Sequence, residues 1–122
     1  MKPIIFQFGS KELHLTMTTS QVVDAESRVK KSLINLFMDG EGGQRLPMVA
    51  EALVVLHAAN NVANIKESDM MTLYDEFLDA GGDFTQLFAV LFELVEASGL
   101  FGRKDVTPKE TTKSLTDAIP EA

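Results

Sequence analysis

The chain has no cysteine, no tryptophan and a single tyrosine. Without thiolates it can build neither a disulfide framework nor a Cys-ligated metal site, a composition that fits a reducing compartment. It also lacks a long apolar run, since nowhere do about 18 or more apolar residues follow one another, the length a membrane span demands. The opening MKPIIFQFGS turns polar within a few residues, so no signal-peptide core is expected and the reading is of a soluble intracellular protein. Basic residues are missing where the chain is most apolar. Between Glu67 and Glu96 stand eight acidic residues and no Lys or Arg, and the net charge of the whole chain is -7. Nucleic acids are gripped largely by Lys and Arg on phosphates, so neither nucleic acid nor membrane is expected as a partner. The basic cluster Arg28, Lys30 and Lys31 stands among Asp24 and Glu26 and reads as a solvated helix face.

What is present suffices for one domain, because 122 residues can bury a core without covalent staples. PIIFQF, GSK and ELHLTM form two alternating segments around a Gly-Ser turn, the pattern of a β-hairpin. Ile4, Phe6 and Phe8 share one face, with Leu13, Leu15 and Met17 able to pack beside them. A lone hairpin is marginal in water, so this face is expected to lie on the helices that follow. A first helix is predicted from about Thr19 to Met38, with Val22, Val29, Leu33, Leu36 and Phe37 at helical spacing and Gly40 as a left-handed terminator. The loop DGEGGQR lacks a Gly-Lys-Ser/Thr ending and carries Asp39 and Glu41, which argues against phosphate binding.

A second helix begins at LPMVAEALVVLHAANN, with Pro47 at its first position and Val49, Leu53, Leu56 and Ala59 or Ala63 facing inward. A third follows in DMMTLYDEFLDAGG, with Ser68 as N-cap, Gly81 and Gly82 past its end, and an apolar side of Met70, Leu73, Tyr74, Phe77 and Leu78. DFTQLFAVLFELV opens the fourth, with Asp83 and Gln86 spaced as a capping box and Gly99 closing it, so that Leu100 or Phe101 can fold back on the last turn. Its apolar residues span an arc of roughly 200°, about twice what a surface helix of a small domain uses. Phe84, Phe88, Leu91 and Val95 make the central stripe, with Leu87, Val90 and Leu94 on one flank and Phe92 on the other. The expected fold is α+β, mainly α: an N-terminal β-hairpin on a compact bundle of about four helices over residues 1–102. Residues 103–122 read as a flexible polar tail, in which Leu115 and Ile119 suggest at most a short helix formed on binding.

Sequence patterns of catalysis are wanting. His14 lies in a predicted strand and His57 in a helix, with no His-Glu-x-x-His spacing near either. DEFLDAGGD fails the calcium-loop template, and no serine sits in a Gly-x-Ser-x-Gly setting. No cofactor, metal or catalytic residue is therefore assigned. Apolar surface in excess points to binding or assembly, and Met48, Met70 and Met71 suit adaptable apolar contacts.

The order hairpin, helix, Gly-rich loop, LPMVAEALVVLHAANN, IKESDMMTLYDEFLDAGGDFTQLF and SGLFG resembles the tail assembly chaperones of long-tailed bacteriophages and prophages of Gram-positive bacteria. The likeness spans roughly residues 2 to 102 and is densest in Tyr-Asp-Glu-Phe-Leu at 74 to 78, the Gly81-Gly82-Asp83 junction and Ser-Gly-Leu-Phe-Gly at 98 to 102. Lys66 stands where that pattern has Thr or Ser. The resemblance implies a non-catalytic factor in the host bacterial cytoplasm, absent from the mature virion, that binds the tape measure protein, keeps it soluble and helps recruit tail tube protein. It also implies a frameshifted longer form diverging near Arg103.

On the residues alone, the expected partner contacts are Leu87, Val90, Phe92 and Leu94, a flank that could equally serve a homo-oligomer. The second reading is a small acidic phage or plasmid adaptor that docks on a host protein and inhibits it. A third, an enzyme, requires a polar pocket that gathers His57 or His14 with several carboxylates.

Overall fold

A computed structural model of the chain describes residues 2–41 and 43–100. The hairpin forms as the alternation predicts. Strands β1 (Ile4–Phe8) and β2 (Lys11–Leu15) pair antiparallel, with Phe6 opposite Leu13 and Ile4 opposite Leu15. Gly9 turns the chain at φ +62°, a conformation that side chains with a Cβ resist. One face of the hairpin lies on the helices: Phe8, Leu13 and Leu15 are completely buried. Phe8 sits 5.3 Å from Phe77 and Phe6 sits 5.6 Å from the same ring, so two strand phenylalanines share one helix aromatic.

Five α-helices follow, not four, because the first predicted helix is broken. Helix α1 (Thr19–Val29) is closed by Lys30 in the left-handed region at φ 63°, and α2 (Leu33–Phe37) restarts behind Ser32, whose hydroxyl accepts the Asn35 N–H at 3.1 Å. Glu26 helps to hold the corner by accepting the Leu33 N–H at 2.9 Å. A serine that can cap offers the backbone an alternative to continuing the helix, and here that alternative wins. The break lets Leu33, Leu36 and Phe37 all reach the core. Gly40 is no left-handed terminator, since Gly9, Gly81 and Gly99 are the described glycines with positive φ.

Helix α3 (Val49–Ala59) starts after Met48, so Pro47 lies just outside the helix, where it is buried. Its inner side is Ala52, Leu53, Val55, Leu56, Ala58 and Ala59, whereas Val49 faces outward, against the predicted stripe. A 3-10 turn (Glu67–Asp69) leads into α4 (Met70–Asp79). Ser68 caps neither: the 3-10 turn starts behind Lys66, whose N–H donates to Asp69 Oδ2 at 2.9 Å, and Asp69 stands at the N-cap of α4. On α4, Met70, Leu73 and Phe77 are buried while Leu78 is exposed. Helix α5 (Phe84–Ala97) has the predicted capping box: the Gln86 N–H donates to Asp83 Oδ1 at 3.0 Å and the Asp83 N–H to Gln86 Oε1 at 3.2 Å. Gly99 follows at φ +89° and Leu100 packs back on the core. Phe101 and the predicted tail over 103–122 lie outside the described residues.

Candidate docking groove

The 200° apolar arc of α5 is for the most part taken up by the protein itself. Leu87, Phe88, Leu91, Leu94 and Val95 are buried and occupy about 120° of the helix circumference at 100° per residue. Leu87 and Leu94, expected as partner contacts, are completely enclosed. They are core residues, a correction to the expected contact set, and belong to the one buried cluster that the hairpin and helices share. Val90 and Phe92, the outer residues of the arc, are half-buried. The Phe92 ring lies 5.7 Å from Phe88, which in turn lies 5.9 Å from Phe37, both pairs tilted, so half-buried Phe92 extends a row of aromatics out of the core. A recess of about 240 Å³ on this flank is bordered by Phe92, Gln44, Glu93 and Glu96.

The apolar surface in excess lies elsewhere. Met71 is 70% exposed, Met48 63%, Leu46 58% and Val49 42%, and none of the most exposed large hydrophobics is on α5. Their placement is built in. Glu51, only 8% exposed, accepts the Met48 N–H on Oε1 at 2.9 Å and pairs through Oε2 with Lys31. This clamp fixes the chain as it enters α3, with Pro47 turned inward and Leu46, Met48 and Val49 outward. The Lys31 ammonium beside Glu51 holds its carboxyl below the usual carboxylate value, against the opposing effect of burial. At the start of α4, Met70 points into the core and its neighbour Met71, turned 100° away, points out.

Between these two helices runs a groove of about 550 Å³, with Leu53 and Met70 as its floor and Ala50, Val54 and Met71 as its walls. It continues into a recess of about 350 Å³ reached past Val49, Tyr74 and Asp75. Polar groups are confined to its ends and rim. Glu67 closes one end and is tied back by Arg28, whose Nη2 lies 2.8 Å from Glu67 Oε1. The same nitrogen donates to His57 Nδ1 at 3.1 Å, and His57 Nε2–H donates to the Ile65 carbonyl at 2.9 Å. His57 is thus a strut between α1, α3 and the segment before α4. His14 is exposed and lies 3.2 Å from Glu12. Among the described residues no group of three or more His, Asp or Glu side chains is placed to hold a metal ion, and no helix is long and apolar enough to cross a membrane.

A family model matches residues 2–119, almost the whole chain. The chain belongs to DUF6096, a family of unknown function. Comparison of this DUF6096 chain with curated proteins and with solved structures gives no match. In the DUF6096 chain the contact surface expected on α5 is therefore half core, and the groove between α3 and α4 is the larger apolar opening. A sequence signal for the groove exists. VAEALVVLHAA is apolar on nearly every side, so α3, like α5, has more apolar circumference than one core face uses. The adjacent pair Met70-Met71 likewise cannot both be centred on the core.

Proposed function

We propose that this chain is a non-catalytic assembly chaperone of the phage tail class. It binds the tape measure protein, keeps that protein's apolar helices soluble in the host bacterial cytoplasm and helps to recruit tail tube subunits before leaving the finished particle. The observation that supports this reading is the apolar groove between α3 and α4, edged by exposed Val49 and Met71 on a small acidic domain. Contiguous exposed apolar surface is unusual on a monomeric domain unless something covers it, and flexible thioethers adapt to apolar partners of varied shape. The acidic balance keeps the free chaperone from clumping through that same surface. The resemblance in residues 2 to 102 supplies the class of partner.

Co-expression with a candidate tape measure protein is the test. Under this reading that protein moves from the pellet into the soluble fraction and copurifies with the chain. If it is equally soluble alone, or soluble without copurifying, the chaperone reading fails.

A further inference from the structure

We infer that the α3–α4 groove is a docking site for one amphipathic helix whose apolar stripe is flanked by Lys or Arg. The inference rests on the chaperone reading only for the biological source of that helix; the chemistry comes from the groove. The floor is Leu53 and Met70, and Ala50 stands beside it as a small side chain that keeps the channel open. The lining runs from Val49 to Val54 on α3 and from Glu67 to Asp75 at α4, so the channel extends for about 8 to 12 Å, roughly two helical turns. A partner helix placing apolar residues at i, i+3, i+4 and i+7 along one side matches that length.

Charge selects among possible occupants. Asp75 lies on the rim and Glu67 at the end, where Arg28 pairs with it, and α4 itself carries no Lys or Arg. Arg28 on α1 engages Glu67 Oε1 at 2.8 Å, so the acidic character of the rim is set mainly by Asp75 on α4. On α4, Met71, Asp75 and Leu78 follow one another at i, i+4 and i+7, so an acidic residue stands between two exposed apolar ones along a single ridge. A second copy of this chain would bring an acidic wall against an acidic wall, each chain carrying a net charge of -7. A small ligand finds few convergent polar groups to orient it, unlike ordinary small-molecule sites of this volume. A helix with Lys or Arg beside its apolar stripe satisfies both the channel and its rim.

The test uses the full chain labelled with ¹³C at its methionine methyls and a synthetic helical peptide of Leu and Lys with Leu at i, i+3, i+4 and i+7. Expected are shifts at Met70 and Met71 with Met17 still, binding about tenfold weaker for the same peptide with Glu in place of Lys, and loss of the shifts in Ala50→Lys. Because Ala50 and Met71 are both exposed, Met71→Lys serves as a second variant that folds, checked by circular dichroism. Equal binding of the Lys and Glu peptides, or unaltered binding by both variants, overturns the inference. So does movement of Met70 and Met71 without peptide, whether on dilution, which assigns the groove to a second copy, or on removal of residues 103–122, which assigns it to the chain's own end. These outcomes are independent of co-expression: peptide binding can fail while the tape measure protein is still captured through Val90 and Phe92, and peptide binding can succeed when the natural partner is another protein.

Discussion

Ser10, in the hairpin turn, donates its backbone N–H to Oε1 of Glu76 on α4 at 2.8 Å. That bond brings the turn so close to α4 that a Cβ built on Gly9 would lie 2.7 Å from the Leu73 carbonyl oxygen and 2.7 Å from the Glu76 Cβ. Gly9 is also at φ +62°. Gly9→Ala therefore meets both a backbone penalty of about 1 to 2 kcal/mol and a contact that only movement of the hairpin relieves. The urea midpoint should fall by an amount equivalent to roughly 2 kcal/mol or more, with the Phe8–Phe77 packing loosened. Glu76→Gln, which keeps an acceptor for Ser10, should cost less than about 1 kcal/mol.

The Lys31–Glu51 pair makes the fold sensitive to acid. Glu51 has its folded-state pKa lowered, first by the Lys31 ammonium and further by the Met48 N–H. A carboxylate depressed in the folded state contributes stability that is fully present above its unfolded value of 4.5 and is lost as pH falls through the lower folded value. Asp39, Glu76 and Asp83 are lowered as well, by backbone or hydroxyl donors, and add to the same slope. The informative quantity is thus a difference. Glu51→Gln should cost about 1 to 3 kcal/mol at pH 7, and the gap between wild type and variant in urea midpoint should narrow as pH is lowered below 4.5. A gap that stays constant down to pH 3 would mean that Glu51 acts through its shape and not its charge.

The four residues expected on α5 as partner contacts should separate into two classes. Leu94→Ala and Leu87→Ala remove completely buried side chains and should each cost about 2 to 5 kcal/mol. Val90→Ala at a half-buried position should cost about 1 kcal/mol or less. Thermal unfolding of the three variants decides it; similar melting temperatures for Leu94→Ala and Val90→Ala would contradict the burial of Leu94.

The elements read from the sequence with the firmest physical signals are those that the structure has. Strict alternation around Gly9, the Asp83–Gln86 reciprocal cap and the glycine after α5 each encode a local geometry that few other arrangements satisfy. The break between α1 and α2 was illegible from spacing because Leu33, Leu36 and Phe37 fit a continuous helix as well as a restarted one. Only the tertiary demand for all three in the core separates the two. The site was half legible for a similar reason: periodicity shows that α5 has two apolar flanks, but not that the flank of Leu87 and Leu94 is the one enclosed in the core. Excess apolar circumference is a property of the whole bundle, and which helix is left uncovered depends on packing order, which helical spacing does not record.

Lys30 offers the last test, one in which stability should rise. Its φ of 63° places an ordinary side chain in the left-handed region that ends α1, and its N–H donates to the Glu26 carbonyl at 2.9 Å, the bond that closes the final turn. A residue with a Cβ loses about 1 to 2 kcal/mol there, and glycine does not, although glycine gives back part of the gain through the greater freedom of the unfolded chain. Lys30 is exposed, so no packing is lost with its side chain. Lys30→Gly should therefore raise stability by about 0.5 to 1 kcal/mol, visible as a higher urea midpoint with an unchanged slope. Lys30→Ala is the control, since it removes the same charge without relieving the backbone, and it should leave the midpoint nearly where it was. If alanine stabilises as much as glycine, the gain comes from the lysine's charge, and the left-handed corner between α1 and α2 is not where the strain resides.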